Sequence, residues 1–148
     1  MNSEILYHGS LHKLRGKSLN PSKPEDVEEN KDNLIKGVYA TDKKEVAIAM
    51  AIITDRCSAT LHLKPKKGYY STVYEGWPTR KIIYLYYLPK NKFFESPRGS
   101  HQFVSKNSVK VIKTETIKVK NYIHLLKKAN KKEKAIWNKK VKSYNNKK

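Results

Sequence analysis

Cysteine is nearly absent from this chain of 148 residues, with Cys57 the only one. That excludes an intrachain disulfide framework and any cysteine-based metal cluster. Nothing around Cys57 marks it as a nucleophile, and it reads as a small, half-buried residue at a helix–strand junction. Arginine is also scarce, 4 of the 32 basic residues, which disfavours the guanidinium forks that read base edges. No apolar run approaches the ~20 residues of a membrane span. The opening MNSEILYHGS has neither the basic nor the apolar region of a secretory leader. A cytoplasmic location without a membrane partner is therefore expected. His12, His62 and His124 form no ligand spacing, so no metal is expected. Walker, GxGxxG and GxSxG motifs are missing, and nothing repeats internally.

Charge is what the chain has in excess. Lys+Arg is 32 against Asp+Glu 13, a net +19, with a hydrophobic fraction of 38%. The length suits one domain with a modest core. Residues 1–60 carry 9 basic and 9 acidic side chains, so the whole excess lies in 61–148. From Lys120 onward there are 11 lysines and a single acid, Glu133. A field of that size favours a polyanion, and nucleic acid, DNA or RNA, is the expected partner. Lysine attracts phosphate without reading sequence, so weak sequence preference and steep salt dependence follow. Codon bias in an AT-rich genome would also enrich Lys and Asn without any binding role.

Glu4 to Gly9 reads as a first strand ending in a Gly-Ser turn. Residues 17–36, with Pro21, Pro24 and an acidic run at 25–29, read as a surface loop. Gly37-Val38-Tyr39-Ala40-Thr41 is a short strand, followed by a helix capped by Asp42 with Glu45 three residues on. Its apolar stripe is Val46, Ala47, Met50, Ala51 and Ile53. Strands are expected at 58–63, 69–74, 82–88, 101–105 and 109–119, with turns at 65–68 and 76–78. From Asn121 the spacing of Ile123, Leu126, Ala129, Ile136 and Trp137 reads as a basic helix. The fold class is α+β. The expected division is a domain over 1–120 and a basic C-terminal helix and tail over 121–148.

Leu6-Tyr7-His8-Gly9-Ser10, a proline-containing loop, then Val38-Tyr39-Ala40-Thr41 leading into an Ala-rich helix, resembles the diphtheria-toxin and poly(ADP-ribose) polymerase branch of the ADP-ribosyltransferases. The resemblance spans residues 5–51 and continues weakly to Val109. It implies a split-sheet ADP-ribosyltransferase-like fold and NAD as substrate. His8 matches the histidine that bonds the adenosine ribose and the nicotinamide amide, and Tyr39 the tyrosine that stacks on nicotinamide. Both roles suit the side chains: imidazole donates and accepts, and a phenol offers an apolar face. Gly9 and Ser10 complete the expected NAD-binding motif, with Gly9 allowing close backbone approach. The family's late-strand acid falls at Gln102, within Ser100-His101-Gln102-Phe103-Val104-Ser105. Gln keeps hydrogen bonds but loses the charge that steadies the breaking glycosidic bond. Relatives lacking that acid transfer single units or have lost transfer. Glu95 is an alternative acid, and strand alternation turns His101 away from Gln102.

Without the motif, His8 is a structural strand-end histidine and Tyr39 a core residue. The leading expectation is a mono-ADP-ribosyltransferase with His8, Tyr39 and Gln102 as catalytic positions, acting on nucleic acid or an associated target. Two alternatives stay open: a nucleic-acid N-glycosylase using the same pocket without NAD, since the transition state is again an oxocarbenium, and an inactive nucleic-acid-binding module. Tyr69, Tyr70, Tyr74, Trp77, Arg80 and Lys81 interleave aromatics with cations as single-strand binding surfaces do. The expected contact residues are Arg80, Lys81, Lys127, Lys128, Lys131 and Lys132.

Overall fold

A computed structural model of the chain describes residues 4–22 and 35–146. The acidic run at 25–29, read as part of a surface loop, lies outside these residues. The architecture is α+β. Eleven strands are described: β1 (Ile5–Ser10), β2 (Ser18–Leu19), β3 (Val38–Thr41), β4 (Ser58–Lys66), β5 (Tyr69–Glu75), β6 (Ile82–Pro89), β7 (Phe94–Glu95), β8 (Gln102–Ser105), β9 (Val109–Lys110), β10 (Lys113–Lys118) and β11 (Leu126–Lys128). Two α-helices join them, α1 (Lys44–Ile53) and α2 (Lys131–Asn146). Six strands form an antiparallel sheet in the order β10-β6-β1-β3-β8-β7. A second sheet has the order β11-β5-β4, and β2 pairs with β9 in a small ribbon.

The pleat of β6 explains its unbroken apolar run. Ile83 and Leu85 project to one face of the large sheet, Tyr86 and Leu88 to the other, and all four are buried. On the first face α1 lays down Ala47, Ile48, Ala51 and Ile52 against Ile83, Leu85 and Ile117, with Val73, Leu125 and Leu126 closing the core. Full burial of Ile48 and Ile52 alone stabilises this contact by roughly 3–6 kcal/mol. The helix is alanine-rich because it lies almost on β1. A Cβ at Gly9 would sit 2.4 Å from the Ala47 carbonyl oxygen and 2.7 Å from the Ala51 Cβ. On the opposite face Leu6, Val38, Ala40, Tyr86, Leu88, Phe103 and Val109 form a second core under Leu14 and Leu19. The Tyr86 hydroxyl accepts from the Leu14 N–H (2.6 Å) and donates to the His12 carbonyl (2.9 Å), pinning that covering segment.

Several expectations are corrected. Asp42 does not cap α1: Lys43 is the N-cap and no side chain closes the box. The Lys43 N–H instead binds Thr41 Oγ1 at 3.1 Å. The strand expected over 109–119 is broken into β9 and β10. The helix expected from Asn121 starts only at Lys131, after two 3-10 turns and β11, which pairs in parallel with β5. Leu125 and Leu126 are buried with the main core, so the packing does not divide at Lys120. Asn130 and Glu133 make the capping box of α2, each side chain accepting from the other's N–H at 2.8 and 3.0 Å. Only Trp137 of that helix is buried, stacked on Tyr74 with centroids 4.5 Å apart and planes 2° from parallel. Gly76 has φ 76°, and a Cβ there would lie 1.9 Å from the Arg56 carbonyl oxygen, so the turn at 76–78 requires glycine.

Candidate functional site

β1, β3 and β8 are successive neighbours, and this brings together positions 94 residues apart in the chain. His8, Gly9, Tyr39 and Gln102 line one cleft, walled by Tyr7, Thr41, Val46, Ala47, Met50, Leu61 and Leu63. The cleft is narrow, with a cavity volume of about 30 Å³. At Leu61 and Leu63 it runs into an open groove of about 620 Å³ between the β4–β5 hairpin and the turn before β8, where His62, Lys64, Lys66, Ser100 and His101 stand. Ser10 is not among the cleft residues; its hydroxyl accepts from the His12 N–H at 3.2 Å. Gly9 meets α1, and that contact accounts for its missing side chain.

The β3–β8 register pairs Tyr39 with Val104 and Thr41 with Gln102, so Tyr39 and Gln102 share the face that carries α1. His8 pairs with Tyr86 and projects to the other face, its ring 6.4 Å from the Tyr86 ring at 19°. β1 and β3 pair at Tyr7–Thr41, and beyond that point the His8 Nδ1–H donates to the Tyr39 carbonyl at 2.6 Å. Burial lowers the His8 pKa from its ordinary 6.5, a shift this hydrogen bond only partly opposes. The imidazole is thus neutral near pH 7, with Nδ1 as its donor and Nε2 left as an acceptor. The Tyr39 hydroxyl donates to the Ile35 carbonyl. Gln102 Nε2 donates to the Ser96 carbonyl at 2.9 Å, leaving the amide oxygen as its acceptor.

No carboxylate lines the cleft among the described residues. Glu95 does not enter it. Its carboxylate accepts from the His101 N–H at 3.0 Å, and the Gly99 and His101 amides hold it below the usual glutamate range. Glu115 lies on β10, outside the cleft lining. It accepts from the Tyr87 hydroxyl at 2.6 Å and meets Lys44 Nζ at 3.1 Å. His101 departs from strand alternation. It precedes β8 in a left-handed conformation, φ 64°, which directs its Nδ1 to both oxygens of Asp42 at 3.0 and 3.1 Å. Sequence reasoning missed this pair. The residues are 59 apart, and only the Thr41–Gln102 register reveals that Asp42 and His101 are the next positions at that end of β3 and β8.

The expected nucleic-acid contacts are all exposed. Lys127 Nζ lies 5.4 Å from the Tyr69 ring centroid, and Lys128 Nζ lies 5.2 Å from that of Trp77. The strand pleat sends these two lysines to opposite faces of the small sheet. Arg80 stands near Trp77 and donates from Nη1 to the Leu11 carbonyl at 3.3 Å. Lys81 follows it, its carbonyl accepting from the Val119 N–H at 2.9 Å. Lys131 and Lys132 begin α2. Cys57 carries no reactive thiolate: burial, then the Asp55 charge, pushes its thiol up to about 11. Among the described residues no three His, Cys, Asp or Glu side chains converge as metal ligands, and no helix is long and apolar enough to cross a membrane. No family model, curated protein or solved structure matches the chain.

Proposed function

We propose that the chain is an ADP-ribosyltransferase-like enzyme that uses NAD as substrate and transfers a single ADP-ribose unit to nucleic acid or a nucleic-acid-associated target. One observation carries this reading: His8, Tyr39 and Gln102, far apart in sequence, line one cleft on adjacent strands. β1 and β3 pair at a single register position, Tyr7–Thr41, as a sheet that parts beside the cleft would, and this supports the corresponding fold. The lining suits a nicotinamide riboside, with an aromatic ring, apolar walls and an amide oxygen, and His8 borders it from the opposite face of the sheet, its imidazole holding the Tyr39 carbonyl. The inner volume of about 30 Å³ is too small for the ring. Met50, 41% exposed and flexible, is the wall that must swing aside, while the 620 Å³ groove has room for the rest of the dinucleotide.

Within this reading Gln102 orients the ribose hydroxyls. With no carboxylate beside it, charge developing on the sugar is stabilised only by the amide dipole, so turnover is slow. The basic surface around Arg80, Lys128 and α2 raises the local concentration of a polyanionic acceptor. The test is thermal protection by millimolar NAD together with label transfer from NAD to single-stranded DNA, duplex DNA or tRNA. Both should be lost in His8→Ala. A second reading rests on the missing carboxylate: an N-glycosylase or inactive binding module. It gains if NAD gives no protection while nucleic acid binds or acquires abasic sites.

A further inference from the structure

We infer that Asp42 and His101 form a general-base dyad at the mouth of the cleft, with His101 Nε2 taking the proton of the acceptor as it attacks. The inference rests on the transferase reading and adds two residues to it. Four observations on separate atoms support it. The His101 Nδ1–H is gripped by both oxygens of the Asp42 carboxylate, which fixes the tautomer and leaves Nε2 as the basic atom. Glu95 holds the His101 backbone N–H, so the imidazole is anchored at ring and main chain. Its left-handed backbone is a conformation that non-glycine residues adopt at a cost and that recurs where a side chain must be aimed. Finally, His101 is adjacent to Gln102 and Asp42 to Thr41, both cleft residues, while His101 itself lines the open groove.

The place is the one an acceptor must occupy. His101 lines the open groove together with Lys64 and Lys66, whereas Gln102 lines the cleft that opens from it at Leu61 and Leu63. As the bond from C1′ to the acceptor oxygen forms, the C1′–N bond breaks and its electron pair leaves with nicotinamide. The acceptor proton passes to His101 Nε2, and the resulting imidazolium faces Asp42. This is the role of the carboxylate in a Ser-His-Asp triad, where it orients the imidazole and steadies its charge without taking the proton. Here the dyad would supply proton transfer but no charge beside the ribose, so it complements Gln102 without replacing the absent acid.

The experiment compares wild type, His101→Gln, Asp42→Asn and His8→Ala. Gln places an amide where Nε2 stood and has no basic nitrogen. Nicotinamide release from NAD, with water as acceptor, should fall about 10²–10⁴-fold in His101→Gln and comparably in Asp42→Asn. NAD thermal protection should persist in both and vanish only in His8→Ala. Independently of turnover, nitrogen NMR of the imidazoles should find His101 as the Nδ1–H tautomer, with that preference lost in Asp42→Asn. Wild type that binds NAD but releases no nicotinamide, release unchanged in His101→Gln, or a wild-type Nε2–H tautomer each overturns the dyad alone. Wild type that NAD does not protect overturns the transferase reading and the dyad with it.

Discussion

Asp55→Asn should destabilise the protein by about 2–3 kcal/mol at neutral pH, because Asp55 ties the end of α1 to the segment that carries Trp77 and Arg80. The side chain is 6% exposed. Its Oδ2 accepts from the Thr79 and Arg80 backbone N–H groups at 2.6 and 2.7 Å. Burial alone would raise the carboxyl pKa; these amides, together with Arg56 and Arg80, outweigh it and set the pKa below 3.8. Hydrogen bonds to a charged group contribute about 1.5–3 kcal/mol each, roughly twice a neutral one. Asn keeps an oxygen but not the charge, so about half of two such bonds is lost. For a chain of this length that lowers Tm by roughly 5–10 °C. A depressed folded pKa gives stability that is present above the unfolded value and disappears as pH falls through the folded one. The gap between wild type and variant should therefore be constant near pH 7 and close below about pH 4. Urea denaturation across that range measures it. A difference under about 0.5 kcal/mol at pH 7, or one that persists undiminished at about pH 3, refutes the reasoning.

Other substitutions separate structure from chemistry. Gly9→Ala should cost about 1–3 kcal/mol whether or not NAD is present, because its Cβ strikes the Ala47 carbonyl and forces α1 off the sheet. An unchanged melting temperature would show that this contact is looser than described. Cys57, with its thiol pushed up to about 11, should react slowly with iodoacetamide at about pH 8 and rapidly once unfolded; fast modification of the folded protein contradicts the burial. Removing 130–148 deletes eight lysines but spares β11 and the buried Leu125 and Leu126. The remainder should fold, with a shallower dependence of single-stranded DNA affinity on salt. An unchanged slope would place the phosphate contacts elsewhere.

The sequence revealed most where local pattern and tertiary pairing agree. β1, β3 and the β4–β6 region were legible from β-branched and aromatic runs bounded by Gly and Pro. The positions of His8, Tyr39 and Gln102 came from the motif. Misreadings arose where a distant partner outweighed a local preference. Ile123, Leu126 and Ala129 have helical spacing, yet Leu126 pairs with Ser71 as an edge strand because β5 offers a ladder and the core takes its side chain. Asp42 and Glu45 have capping-box spacing, yet Asp42 binds His101, which no window of sequence connects to it. Glu95 and Gly9 have partners in the fold, the His101 amide and α1, that composition could not indicate. The motif singles out His8 but not its face, because the side on which it lies follows from its register with Tyr86.

Thermal unfolding with and without millimolar NAD, for wild type and His8→Ala in parallel, shows whether the cleft takes the dinucleotide. The Tm of wild type should rise with NAD concentration as mass action requires, and that of His8→Ala should not. A wild-type Tm indifferent to NAD, or equal protection of His8→Ala, would contradict that expectation.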